Sequence, residues 1–134
     1  MNYNSIITGL YYMLIYADGS VNEKEVASIK HMIKAEGLNE AEFNVQMRML
    51  ESKDKGILFS DCMIGLKKLT HEQQVRVVAW LCVVANADGF MERTEWQLIY
   101  KIYHKELNLP LNEIFTVQKE LSKMIWEQST LTIL

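Results

Sequence analysis

A nine-residue stretch, Ala17-Asp18-Gly19-Ser20-Val21-Asn22-Glu23-Lys24-Glu25, recurs seventy residues later as Ala87-Asp88-Gly89-Phe90-Met91-Glu92-Arg93-Thr94-Glu95. The Asp, the Gly and the last Glu keep both identity and spacing. Each copy lies between two apolar segments of helical periodicity, so a chain carrying it twice is constrained to a duplicated helical domain. One Pro and six Gly in 134 residues leave long uninterrupted stretches and argue against a turn-rich all-β fold.

The first apolar segment, residues 4–17, carries Ile6, Leu10, Met13, Leu14 and Ala17 at helical spacing, widened by Ile7, Tyr11 and Ile15. Coverage that wide predicts a helix buried on most sides. Asp18-Gly19 ends it, since Gly takes the left-handed conformation that closes a helix. A second helix, 23–36, shows Val26, Ile29 and Ile33 as its buried face and stops at Gly37. Asn39 caps a third, reaching residue 51, with Phe43, Met47 and Leu50 as its stripe. Residues 52–56 read as a polar loop, and 57–69 as a connecting helix that Gly65 weakens by about 1 kcal/mol relative to Ala.

The second half repeats the pattern. Thr70 and Gln73 have capping-box spacing, and the run 77–85 is wholly apolar, the strongest core signal in the chain. Trp96, Ile99, Tyr100, Tyr103 and Leu107 mark the next helix, Pro110 a turn, and 112–126 the last helix. Leu38-Asn39-Glu40 recurs as Leu111-Asn112-Glu113, and Phe43-Asn44-Val45-Gln46 as Phe115-Thr116-Val117-Gln118. The expected architecture is a single all-α domain of two pseudo-symmetric three-helix repeats, about 1–53 and about 70–134, joined by a connecting helix at about 54–69. The apolar tail Leu131-Thr132-Ile133-Leu134 lacks a helix cap and reads as a segment that docks on the domain or is offered to a partner.

The repeated turn admits two readings. As helix punctuation, Gly19 supplies a positive φ, Asn22 and Glu25 form a capping box, and Val21–Val26 and Met91–Trp96 form hydrophobic staples. In the second copy Asn22 is replaced by Glu92, a poor N-cap that leaves Glu95 little to reciprocate, yet Asp88 and Glu95 persist. As a cation site, Asp-Gly followed by an apolar residue and Glu resembles the second half of an EF-hand loop. Loop positions one and three would then be Leu14 and Tyr16, or Val84 and Asn86, none of them a carboxylate. Neither copy is therefore a complete EF-hand. The carboxylates Asp18, Glu25, Asp88 and Glu95 still suit hard cations such as Ca²⁺, Mg²⁺ or Mn²⁺.

The doubled Ala-Asp-Gly-x-x-x-x-x-Glu, each copy at the end of an apolar helix, resembles the TerB-like tellurite-resistance family, and a related domain of some membrane-anchored DnaJ-type co-chaperones. The resemblance covers essentially the whole chain. It implies an all-helical pseudo-symmetric domain with divalent-cation ligands at the acidic turns, here Asp18, Glu25, Asp88 and Glu95. It also implies a stress-response role beside membrane-associated complexes, with another protein as partner. Arg93 and Trp96, inside the second copy, argue against identical roles for the two turns.

Other chemistry finds little support. Glu-x-x-His, HExxH, P-loop, GxSxG and dinucleotide fingerprints are absent, and His31, His71 and His104 are isolated, so the chain reads as a non-enzyme. A carboxylate-dependent hydrolase is the remote alternative; a metal-independent helical protein-interaction module is the nearer one. A net charge of −3 and a single basic cluster, Lys67, Lys68, His71 and Arg76, exclude nucleic acid as the expected partner. Cys62 and Cys82 lie in apolar patterns and read as buried free thiols, with a disulfide between them left open by spacing. The eight Met read as core filling ahead of an adaptable binding surface. The apolar run of nine is about half of a membrane span. The expected location is cytoplasmic.

Overall fold

The computed structural model describes residues 1–17, 19, 22–87 and 89–133, with residues 128–133 described by their helical backbone alone. The described residues form helices and no strand: α1 (Tyr3–Ala17), α2 (Glu23–Ala35), α3 (Glu40–Met49), α4 (Lys55–Lys67), α5 (His71–Ala85), α6 (Arg93–Tyr100) and α7 (Leu111–Ile133). The all-α expectation holds.

The two longest apolar runs become the centre. Positions 6–12 of α1 are buried without a break, and so are positions 77–85 of α5. A helix that is apolar all round must be enclosed by other elements. The rest of the chain does this. α1 and α5 touch each other; α3 and α4 pack on α1, and α7 packs on α5. The remaining pairings cross over, α2 lying on α5 and α6 on α1. Exchanging the two halves thus maps α1–α3 onto α5–α7 and α2–α5 onto α6–α1.

α4 begins two residues before its expected start. The Asp54 side chain accepts from the Ile57 N–H at 2.9 Å, so Asp54 is an N-cap, and the expected loop 52–56 shrinks to Lys53 and Asp54 behind a 3-10 turn at Leu50–Ser52. Gly65 does not interrupt the helix. A Cβ there would stand 2.7 Å from Ile6 Cδ1, and one at Gly9 on α1 would stand 2.6 Å from Cys62 Sγ. These two glycines let α1 and α4 pack at close range, and the contact so gained offsets the propensity cost of Gly65.

Two other expectations change. The buried face of α2 is Glu25, Ile29, Met32 and Ile33, whereas Val26 is 41% exposed. The helix is rotated so that a carboxylate, and not the neighbouring valine, faces inward. After Tyr100 the backbone widens into a π-helical segment, Lys101–Glu106, closed by Leu107 N–H donating to Ile102 O at 3.0 Å. Asn108, at φ 52°, then turns the chain, and Leu109 N–H donates to Tyr103 O at 2.7 Å, tucking Leu109 into the core. Finally, α7 runs past the expected end at 126 to Ile133, so the backbone of the apolar tail is helical through that residue. The side chains of that tail, and Leu134 altogether, lie outside the described residues.

The basic cluster is largely neutralised. Lys67 pairs with Glu106 at 3.3 Å, His71 with Glu113, and Arg76 Nε with Glu36 at 2.8 Å. Among the described residues, no helix is long and apolar enough to cross a membrane.

Candidate cation site at the acidic turns

A glycine with positive φ follows each central helix: Gly19 at 79°, two residues after α1 ends at Ala17, and Gly89 at 85°, four residues after α5 ends at Ala85 with Asn86 as its C-cap. A side chain at either position would be strained, which explains why glycine stands in both copies. Asn22 then caps α2 in extended conformation. Its Oδ1 accepts from the Glu25 N–H at 2.8 Å, and its Nδ2 donates to Glu25 Oε1 at 2.7 Å.

The second turn reaches a similar arrangement by another route. The Glu92 N–H donates to Glu95 Oε1 at 3.2 Å, so Glu95 does reciprocate, contrary to the sequence expectation. The reason is elementary: the N-cap backbone N–H is present whatever the N-cap side chain. In both halves the third helical residue is a glutamate whose Oε1 accepts a hydrogen bond from the capping residue.

These two glutamates are also the most buried carboxylates described, Glu25 at 4% exposure and Glu95 at 1%. Glutamate is almost never fully buried without hydrogen bonds, a counter-charge or a metal, because desolvating a carboxylate costs several kcal/mol. Capping supplies one bond to each. The positive end of the helix dipole, acting in the first turn of α2 and of α6, favours each by up to about 1 kcal/mol.

Asp18 and Asp88, the other two candidate ligands, lie outside the described residues, as do Ser20 and Val21. The Val21–Val26 staple therefore has only Val26 described, and that residue is exposed; Met91 and Trp96 are each half-buried. Among the described residues no three His, Cys, Asp or Glu side chains converge. The described acidic residues of the motif are thus one glutamate per turn, whose carboxylate oxygens are of the chemistry that hard cations take.

Other candidates resolve plainly. Cys62 and Cys82 are free and buried, as the sequence suggested, with no disulfide between them. Burial pushes each thiol up to about 12, which leaves them protonated and unreactive at neutral pH. His71 is engaged with Glu113, and His104 stacks on Tyr100 with ring centroids 4.8 Å apart. Sequence reasoning did not find an open groove between α2 and α3. Comparing Val26 with Trp96, its counterpart in the repeat, would have pointed to it.

The described residues define a helical domain with two central helices, each followed by a glycine of positive φ and then by a buried glutamate. Residues 5–114 match the family model for tellurite resistance protein TerB. The chain belongs to the TerB family and is a TerB-like, tellurite-resistance-type module. The match ends at Ile114, near the start of α7. No curated protein and no solved structure matches the chain.

Proposed function

We propose that this TerB-family domain is a non-enzymatic stress-response module that holds a divalent cation at its acidic turns. Asp18 and Glu25 would serve in the first turn, and Asp88 and Glu95 in the second. The observation that carries this reading is the burial of both glutamates at equivalent points of the repeat. Ca²⁺, Mg²⁺ or Mn²⁺ would supply the positive charge that such carboxylates favour. A cation there would tie the end of each central helix to the start of the helix that follows, making the domain's shape depend on ion supply. The partner expected to read that shape is another protein, by family resemblance one associated with a membrane complex.

Thermal melts with each of the three ions against EDTA test the proposal. Saturation at about 100 times Kd adds about 2.7 kcal/mol. For a domain of this size that raises Tm by roughly 5–10 °C. Asp88→Asn with Glu95→Gln should remove or halve the shift. Gln retains an Oε1 that accepts from the Glu92 N–H, so capping survives while charge is lost. An unchanged Tm with all three ions would sink the metal reading.

A second reading, a metal-independent helical interaction module, is favoured by a specific observation. The Oε1 of each glutamate already accepts a hydrogen bond at its helix start, so punctuation alone accounts for part of the repeated pattern.

A further inference from the structure

The core comes close to solvent in the groove between α2 and α3, an apolar trough of about 370 Å³. Ile15, Ile29, Ile33 and Phe43 line it, and each keeps 5–7% exposure, whereas Val78, Ala79 and Leu81 on α5 have none. Val26, 41% exposed, forms the edge on α2. Val26 and Lys30, four residues apart, make one ridge along that helix. In the second half the position of Val26 is held by Trp96, which is half-buried against the core with its ring 6.0 Å from Tyr103. The second half thus covers this place with its own indole, and the first half leaves it open.

The charges on the rim say what fits. Lys30 on α2 and Glu40 on α3 stand on opposite sides of the trough. Both are exposed, and neither has an ion-pair partner among the described residues. A partner of uniform charge would meet one of them with the wrong sign. A second copy of the chain does not. A two-fold axis sets residue i against j and j against i, so Lys30 of each copy meets Glu40 of the other, at two places at once. The same rotation lays the ridge of each copy in the trough of the other, the ridge-into-groove packing that helices favour. α2 has 13 residues. Its length is then about 20 Å, and two helices each about 10 Å wide make a face of roughly 400 Å² per copy. Stable pairs bury about 800 Å² on each side, so a face of about half that size gives a weak, concentration-dependent dimer.

We infer that the α2–α3 groove is a reversible, two-fold dimer interface of this chain, with Val26 of each copy seated in the trough of the other and Lys30 paired with Glu40 twice across the axis. This goes beyond the cation reading and does not rest on it.

The test is sedimentation equilibrium of the full chain in EDTA, from about 5 µM to about 1 mM, the range in which an interface of this size shows itself. EDTA keeps the outcome separate from cation binding. A monomer–dimer equilibrium is expected. Lys30→Glu and Glu40→Lys each set like charges face to face at two places and should weaken it by at least about tenfold. Mixing these two variants is the decisive arm. Both junctions of the mixed pair join opposite charges again, and its association should return to within about threefold of the parent chain. A Lys30–Glu40 contact inside one copy could not give that result, because mixing leaves each chain's own residues unchanged. Val26→Lys, at an exposed position, should weaken the dimer by at least about tenfold through the trough alone. Circular dichroism with a thermal melt checks that each variant folds. Should Glu40→Lys, at the start of α3, not fold, the other two variants decide: loss of the dimer in both is the expected result, and retention in either overturns the inference. A chain that stays monomeric throughout also overturns it, as does a dimer indifferent to these variants or one that mixing fails to restore.

Discussion

Val26 and Trp96 hold the same position relative to their Asp-Gly turns, yet one borders an open groove and the other lies against Tyr103 and the core. The same contrast runs through the periphery. α3 spans ten residues and α7 spans 23; α2 starts at an Asn whose side chain makes both capping contacts, whereas α6 starts at a Glu. The central pair shows no such divergence, for α1 and α5 have the same length and are buried alike. The difference teaches where duplication tolerates change. A side chain surrounded on all sides is constrained by every neighbour it touches, while one on a covering helix answers to a single face.

If the centre is shared by both halves, damage to either central helix should unfold the whole domain. Leu10 on α1 and Trp80 on α5 are equivalent in the repeat, exposed by 0% and 2%. Leu10→Ala should cost about 2–5 kcal/mol and Trp80→Ala about 3–5 kcal/mol. Urea unfolding followed by far-UV circular dichroism and by tryptophan fluorescence should show one coincident transition for each variant. Two separated transitions would mean that the halves are independent cores. Trp80→Phe should cost much less than Trp80→Ala, because it keeps an aromatic ring and removes a buried indole N–H that has no hydrogen-bond partner among the described residues.

The next comparison is at the periphery. Trp96→Val gives the second half the residue of the first, and loses part of an indole's burial together with its contact with Tyr103. An aromatic pair contributes about 0.5–1.5 kcal/mol beyond its area. With the half-buried surface added, a loss of about 2 kcal/mol is expected. The reverse change, Val26→Trp, should be neutral or stabilising, because the groove has room for the ring. Equal and opposite responses would make the two faces interchangeable. A destabilised Val26→Trp variant would show that the first groove is shaped against an indole from its own chain.

Much of this contrast was legible in the sequence, and the reason is range. The runs at 6–15 and 77–85 announced the central helices because enclosure demands apolar residues all round. Asn39 and Thr70 announced helix starts because a cap acts within three residues, and both cap as expected, Asn39 accepting from the Glu42 N–H and Thr70 from the Gln73 N–H. Features set by distant neighbours were not legible. Helical periodicity permits either Glu25 or Val26 to face inward, and the rule that carboxylates stay outside chose Val26; the packing of α2 on α5 and the Asn22 contact chose Glu25. Gly65 read as a weak point because its partner, Ile6, is 59 residues away. The wide turn after Tyr100 has no local signature, and the end of α7 has no cap to mark it. Of the site, all four acidic residues were named from their repetition. The burial of Glu25 and Glu95 needed the fold, and the two aspartates lie outside the described residues.

The smallest effects separate the two turns themselves. Asn22 offers an acceptor to the Glu25 N–H and a donor to its carboxylate, at 2.8 and 2.7 Å. Asn22→Ala removes both, and should cost about 1–2 kcal/mol, the upper part of the range for losing an N-cap. Glu92 stands where Asn22 stands, and the bond that Glu95 makes to it uses the backbone N–H, which any residue provides. Glu92→Ala should therefore cost less than Asn22→Ala, and Glu92→Asn should stabilise by up to about 1 kcal/mol, since Asn is among the best N-caps. The same set of variants, unfolded in urea with and without a saturating divalent cation, weighs punctuation against ligation. Where capping is the whole role of the turn, the two rank orders coincide. Where Glu95 also holds a cation, Glu92→Asn raises stability equally in both conditions, whereas Glu95→Gln, which keeps the capping oxygen but loses the charge, lowers it more when the ion is present than when it is absent.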